Sequence, residues 1–317
     1  MYQTFFGLKE SPFNGNPDPR YLYLTKQIQE SLASLMYGIQ ARKGFITLTG
    51  EVGTGKTTLV NRLLDWLHQY KARTAYIFNS RLNTSDLLDF ILAEFEIPCA
   101  SRTKSQQLLR LNHWLLERYR MRETAVLIID EAQNLSNSVL EEIRLLTNLE
   151  TSTEKLLQIV LSGQPELEEK LKLPELRQLR QRITLRCKTS LLSIEETHAY
   201  VAERLRIAGA NGTPIFSPEA IDLAHTYAHG IPRVINLLCE HALISAYTEQ
   251  QRPVQPAAVS EAAREFQLDE IAPIAPPRDT TMEEAAEGSE TFLHNAGEAL
   301  SRFHIGSPED TPARKQK

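Results

Sequence analysis

The sequence predicts an α/β protein: a three-layer sandwich around a parallel sheet, followed by a small all-helical domain. Three observations carry that reading. Short apolar runs alternate with segments of helical periodicity over residues 1–190. One of those runs opens into a glycine-rich loop at the head of a helix. From about Ser193 the strand signal fades and helix-start signals take over. Strands that are apolar on both faces and separated by helices imply a parallel sheet covered on both sides.

Taken in order, Gly44–Thr49 (GFITLT) reads as a strand running into the loop. Thr57–Tyr70 follows as a helix, with Leu59, Leu63, Leu64 and Leu67 on one face. A strand at Thr74–Phe78 precedes helices over Ser85–Phe95 and Ser105–Arg120, and a second fully apolar strand covers Ala125–Ile129. A helix at Ser136–Leu149 and a strand at Leu156–Leu161 complete the alternation. Ser193 with Glu196 makes a capping box, which opens a helix through Ala208. Ser217-Pro218 places an N-cap before a proline at the first helical position. Ile231–Glu249 and Ala257–Phe266 are the remaining helices. The expected organisation is a linker or brace over 1–43, a sheet domain over 44–190, a helical lid over 191–268 and a tail over 269–317.

The tail is expected to be disordered. Ile271–Pro277 (IAPIAPP) suits neither a helix nor a central strand, and residues 280–317 are rich in Glu, Ser, Thr and Ala. Within it, Phe292, Leu293, Ala296, Leu300 and Phe303 fall at helical spacing, as in a transient linker helix or a docking peptide. Residues 269–317 hold ten acidic and five basic residues, which is the whole net charge of −5, so residues 1–268 are neutral. A neutral body weighs against a domain built to coat itself in nucleic acid, although Arg118, Arg120 and Arg122 suggest a local basic cluster.

Composition excludes several classes. Of 317 residues, 42% are hydrophobic and 24% charged, close to the globular average, so wholesale disorder is excluded. Three cysteines without short spacing exclude a disulfide scaffold or a cysteine zinc site and point to a reducing compartment. The start, MYQTFFGLKESPF, lacks the basic and apolar regions of a signal peptide, and no apolar run approaches the roughly 18 residues of a membrane span. A soluble, cytoplasmic protein with no membrane span is expected.

Gly50-Glu51-Val52-Gly53-Thr54-Gly55-Lys56-Thr57 fits G-x-x-x-x-G-K-[ST] between a strand and a helix, with Thr58 following. In such a loop the backbone N–H groups curl around phosphate oxygens and the helix N-terminus adds its positive dipole end. Lys56 is placed to reach the β- and γ-phosphates of ATP, and Thr57 to hold Mg²⁺. Ala125–Ile129 then ends in Asp130-Glu131, beside the loop if the two strands are neighbours. Asp130 would orient Mg²⁺, through water, and Glu131 would polarise the attacking water, or else cap the next helix. These motifs resemble those of a P-loop NTPase and predict that fold for the sheet domain.

The loop, the carboxylate pair and a helical lid together resemble an AAA+ ATPase. The resemblance implies further roles. Gly230-Ile231-Pro232-Arg233 is similar to the sensor 2 motif, whose arginine, here Arg233, contacts the γ-phosphate. Leu176–Ile183 (LRQLRQRI) looks like the segment that offers an arginine finger to a neighbouring subunit, with Arg182 the best match and Arg180 and Arg177 behind it. Ser162 or Gln164 fits the polar sensor 1 position. Asn79 resembles the residue that restrains the catalytic glutamate until ligands bind.

Four stretches are similar to the ExeA-type ATPases of type II secretion: Phe5–Leu8 with Ser11–Phe13, Pro17–Leu24, Arg42–Thr57, and Gly163–Leu167. That group includes pilus and exosortase-associated ATPases and shades into the TnsC/TniB transposition ATPases. The resemblance covers residues 1–268 and implies an oligomeric ring or filament that hydrolyses ATP, Mg²⁺-dependent, and serves envelope-assembly proteins of a secretion or pilus system. The alternatives are an ATPase filament on duplex DNA that regulates transposition and a nucleotide-gated scaffold with little turnover. The transmembrane segment and periplasmic peptidoglycan-binding domain of full-length family members are not expected in these residues, nor is contact with cell wall. Phe5, Phe6, Leu8 and Phe13 are read as core packing or as a brace for the sheet edge. Tyr21 and Tyr23, on a segment that wraps toward the nucleotide, are read as core packing or as contacts to the base.

Overall fold

Alternation within the strands decides how the sheet is covered. In the computed structural model, which describes residues 1–78, 82–100 and 103–268, the chain runs through α1 (Tyr2–Phe6), α2 (Lys26–Gln40), β1 (Phe45–Thr49), α3 (Lys56–Gln69) and β2 (Arg73–Ile77). It continues through α4 (Thr84–Glu94), α5 (Lys104–Arg120), β3 (Ala125–Ile129), α6 (Asn137–Leu146), β4 (Leu157–Gly163), α7 (Pro165–Leu171), α8 (Arg177–Arg180) and β5 (Leu185–Lys188). Along β3, Ala125, Leu127 and Ile129 join the core formed with α4, α5 and α6. Val126 and Ile128 face the other way, into the core formed with α2 and α3. A period of two thus feeds two separate helix layers from one strand. Asn79 and the tail, with its Phe292–Phe303 pattern, lie outside the described residues.

The sheet is wholly parallel, in the order β2-β3-β4-β1-β5. Two features of this order go beyond the sequence reading. β1 and β3 are not neighbours, because β4 lies between them. A fifth strand, β5, pairs with β1 at the opposite edge. Its sequence LRCK leaves Arg186 and Lys188 exposed while Cys187 is buried, so it carries none of the continuous apolar character of the inner strands.

The lid comprises α9 (Ile194–Ile207), α10 (Pro218–Ala228), α11 (Pro232–Thr248) and α12 (Pro256–Glu265). Both halves of the Ser193–Glu196 capping box form, and Ser217 Oγ accepts from the Ala220 N–H. Phe6, Leu8 and Phe13 do not brace the sheet edge. They are buried in the lid core with Tyr200, Phe216 and Leu243, and Phe5 packs partly buried against it. The segment 1–43 is therefore divided: its aromatics complete the lid, whereas α2 covers one face of the sheet. Among the described residues no helix is long and apolar enough to cross a membrane.

Candidate functional site: a phosphate loop between sheet and lid

The glycines set the loop. Gly53 (φ +81°) and Gly55 (φ +92°) occupy the left-handed region that side chains disfavour, and α3 starts at Lys56 immediately after. Lys56 is buried, and its Nζ donates to the carbonyls of Gly50 at 2.7 Å and Glu51 at 2.8 Å. Burial holds the Lys56 ammonium below its ordinary pKa, against the opposing pull of Glu131 and Asp130. The loop thus presents a desolvated cation at the head of a helix, a site suited to an anion.

Asp130 sits one residue past β3 and is 4% exposed. Its Oδ2 accepts from Thr57 Oγ1 at 3.2 Å and from the Tyr76 hydroxyl at 3.3 Å. Its Oδ1 accepts from Ser162 Oγ at 2.7 Å and from the Glu131 N–H at 3.0 Å. The first contact spans the intervening strand: α3 starts over the sheet and brings Thr57 to a carboxylate two strands away. Burial and the Asp130 charge push the Tyr76 hydroxyl up to about 12, so it stays protonated and donates to that carboxylate. Thr57 Oγ1 and Asp130 Oδ2 are hard oxygens 3.2 Å apart, so a Mg²⁺ held by the hydroxyl lies within reach of the carboxylate through a bound water. The residues present fit that ion.

Glu131 adopts φ 52°, ψ 36°, a left-handed conformation rare for a side-chain-bearing residue. Its side chain does not cap the 3-10 turn that follows. Instead Oε2 accepts from Gln133 Nε2 at 2.6 Å and Gln164 Nε2 at 3.1 Å, while Gln133 Oε1 accepts from the Gln164 N–H at 3.1 Å. The two sensor 1 candidates are thereby separated. Ser162 is fully buried beneath Asp130, and Gln164 faces the cleft and holds Glu131.

The lid closes the other side. Arg233 stands at the start of α11, and its N–H donates to the Gly53 carbonyl at 3.2 Å. A Cβ on Gly53 would come within 2.8 Å of Arg233 Cβ, so the loop and the lid helix touch backbone to side chain. Between them runs a cleft of about 870 Å³ that extends from Lys56, Thr57 and Glu131 along Arg233 to the Pro17–Tyr23 segment. Arg177, Arg180 and Arg182 do not line it. They lie on α8 and the turn after it, Arg177 and Arg180 exposed and Arg182 half-buried.

Three contributors escape sequence inspection: Tyr76, Gln133 and Arg204. Arg204 is 6% exposed and lines the far end of the cleft. It donates to the carbonyls of Pro12 at 2.6 Å and Asn14 at 3.3 Å, and its guanidinium lies 4.5 Å from the Tyr21 ring centre. Tyr21 and Tyr23 both line the cleft, yet Tyr21 is buried with its hydroxyl on Glu10, and Tyr23 meets Tyr200 edge-on. The basic cluster at 118–122 is not three free charges, since Arg118 is bonded to Glu123 at 3.1 Å.

A parallel sheet with a phosphate loop at its carboxyl edge, a strand-end Asp-Glu pair and a lid arginine meeting that loop are the parts of an AAA domain, and the chain carries one. The AAA domain family matches residues 39–171. Over 266 residues the chain is 46% identical to the General secretion pathway protein A of Aeromonas hydrophila, covering 84% of this chain and 48% of that protein. It thus spans about half the length of that relative. In fold it is similar to the ORC2 protein of Aeropyrum pernix in its ADPNP-ADP complexes, with TM-score 0.61, 16% identity, and coverage of 83% of this chain and 75% of that one. It is also similar to the Drosophila ORC bound to DNA, with TM-score 0.64, 21% identity, and coverage of 84% and 66%.

Proposed function

We propose that this chain binds and hydrolyses MgATP as an oligomer, and that it does so for a secretion or pilus-type envelope system. One observation carries the enzymatic part: Lys56, Thr57, the held carboxylate of Glu131 and the lid's Arg233 line one cleft, with the Asp130 carboxylate bonded to Thr57 behind it. The similarity to a general secretion protein supports the cellular part.

In this reading the triphosphate takes the place of the loop carbonyls as partner of Lys56, and the loop's N–H groups receive its oxygens. Thr57 and Asp130 would hold Mg²⁺, which supplies positive charge against the β- and γ-oxygens. Glu131 polarises the attacking water, while Gln133 and Gln164 fix the direction in which its carboxylate points. Arg233 meets the γ-phosphate from the lid side and reports its presence to α11. Arg182 serves the nucleotide of an adjacent subunit.

Glu131→Gln keeps the shape and removes the base. Phosphate release is expected to fall by about 10²–10⁴ while ATP affinity stays within a few-fold of wild type. Equal turnover of the two proteins at saturating ATP would remove Glu131 from the mechanism. For the cellular role, co-purification from a strain carrying an intact secretion system should retain envelope-assembly components in the presence of ATP with Glu131→Gln, and lose them with Lys56→Ala.

A further inference from the structure

The segment from Thr189 to Ser193 leaves β5 and enters α9, joining the sheet domain to the lid. Both ends of this joint are bonded to the phosphate loop, one directly and one through the lid. At the first end, the Thr189 N–H donates to the Thr49 carbonyl at 2.9 Å, extending the β5 ladder by one residue. The Thr189 and Thr54 hydroxyls then lie 2.6 Å apart, with the two residues 7% and 4% exposed. Thr54 Oγ1 also donates to the Glu51 carbonyl at 2.7 Å.

The direction of this relay follows from proton count. A hydroxyl has one proton to give. The Thr54 proton goes to the Glu51 carbonyl, which can only accept, so the short contact between the two threonines is made with the proton of Thr189. The chain runs one way, from Thr189 through Thr54 to Glu51. At the far end of the joint, the Leu192 N–H donates to the Gly230 carbonyl at 2.8 Å. Three residues beyond Gly230, the Arg233 N–H returns to the Gly53 carbonyl at 3.2 Å. Loop, joint and lid turn thereby close a circuit. The approach at its first corner is close enough to explain the loop's first glycine: a Cβ on Gly50 would lie 1.9 Å from Thr189 Oγ1.

We infer that Thr189 is a positioning residue of the phosphate site, acting through Thr54 to hold the Glu51 carbonyl out of the space the phosphates occupy. That carbonyl shares Lys56 Nζ in the present arrangement. Once an anion takes Lys56, the carbonyl loses that donor, and a peptide rotation would turn its oxygen toward the phosphates and its neighbour's N–H away. The threonine relay opposes that rotation, and it is buried, where an orphaned acceptor is costly. The assignment rests on the nucleotide reading above and adds to it a residue about 130 positions beyond the glycine loop, at the root of the lid.

The test compares Thr189→Val, which keeps the shape and removes the hydroxyl, with Thr189→Ser, which restores it. In nucleotide-free protein, backbone hydrogen exchange over residues 50–56 is expected to quicken in Thr189→Val and to return to the wild-type rate in Thr189→Ser. With fluorescent ATP and ADP, Thr189→Val should weaken both about 3- to 10-fold, the range for one lost hydrogen bond, and raise KM while leaving kcat at saturation within twofold. Thr54→Val combined with Thr189→Val should be no worse than Thr54→Val alone, because the hydroxyls act in series. Unchanged exchange and affinity in Thr189→Val, additive losses in the double variant, or failure of serine to rescue would overturn the assignment. A wild type without affinity for ATP would count against the nucleotide reading, and the exchange comparison would still decide the role of Thr189.

Discussion

Gln164 Nε2 reaches Glu131 Oε2 at 3.1 Å, and the same carboxylate oxygen takes a second donor from Gln133 at 2.6 Å. A carboxylate on a left-handed backbone residue is thus clamped between two amides, from β4's end and from its own turn. The clamp fixes the direction of the carboxylate. Gln164→Ala is expected to lower kcat by about tenfold, the free-energy equivalent of one charge-assisted hydrogen bond, with ATP affinity nearly unchanged. Loss of affinity with kcat intact in a steady-state assay would make Gln164 a binding residue and not a clamp.

Lys56 gives a pH signature. Burial lowers its pKa from 10.5 in the folded, nucleotide-free chain. The folded state therefore carries the cost of a buried ammonium at neutral pH, and that cost fades as pH rises through the depressed value toward 10.5. Lys56→Met should stabilise the nucleotide-free protein at neutral pH, with the gain shrinking across that alkaline window. Binding has the opposite sign: phosphate needs the charge, so ATP affinity should begin to fall below pH 10.5. Melting curves and ATP titrations at stepped alkaline pH check both. An affinity flat to pH 10.5 in wild type would remove Lys56 from the phosphate contact.

The inner strands and the lid helices were legible because their patterns are local. Ala125–Ile129 is apolar at every position, and Ser193–Glu196 encodes its cap within four residues. What escaped depends on long-range packing. The separation of β1 from β3 by β4 is set by the topology of the whole sheet, which no single segment records. β5 alternates charge with apolar residues as an edge strand does, and so lacks the signal of a buried one. Phe6 and Phe13 were visibly core residues, but nothing local says which of two cores they join. Within the site, the glycine loop and Asp130-Glu131 stand out as contiguous motifs. Arg204 reads as one more charge on a helix, and only its position under the Pro12–Asn14 carbonyls reveals it.

That position predicts a large effect for a residue outside every motif. Arg204 ties α9 to the N-terminal segment and stacks with Tyr21, and a planar fork is what permits both at once. Arg204→Met leaves the buried Pro12 carbonyl, and the partly buried Asn14 carbonyl, without this donor. We expect a stability loss of about 1.5–3 kcal/mol by denaturant titration, and only partial recovery in Arg204→Lys. Full recovery with lysine would show that charge alone matters.

The last prediction concerns what one subunit lacks. Its own cleft is lined by Arg204 and Arg233, whereas Arg177, Arg180 and Arg182 lie elsewhere on the surface of the sheet domain. Negative charge on the transferring phosphoryl group also faces the open side of the cleft, and an arginine brought there by a neighbour is worth about 10³–10⁵ in rate in related phosphoryl-transfer enzymes. If Arg182 fills that role, specific activity rises with protein concentration, and Arg182→Ala binds ATP while turning over very little. Mixing separates a shared site from a private one. Arg182→Ala subunits retain Glu131, and Glu131→Gln subunits retain Arg182, so mixed assemblies contain interfaces that pair one intact group with the other. Activity of the mixture above the sum of its parts establishes the shared site. A mixture that regains nothing, or a monomer whose rate is independent of concentration, defeats it for Arg182, and the same mixing with Arg180→Ala and then Arg177→Ala decides whether a neighbouring arginine serves instead.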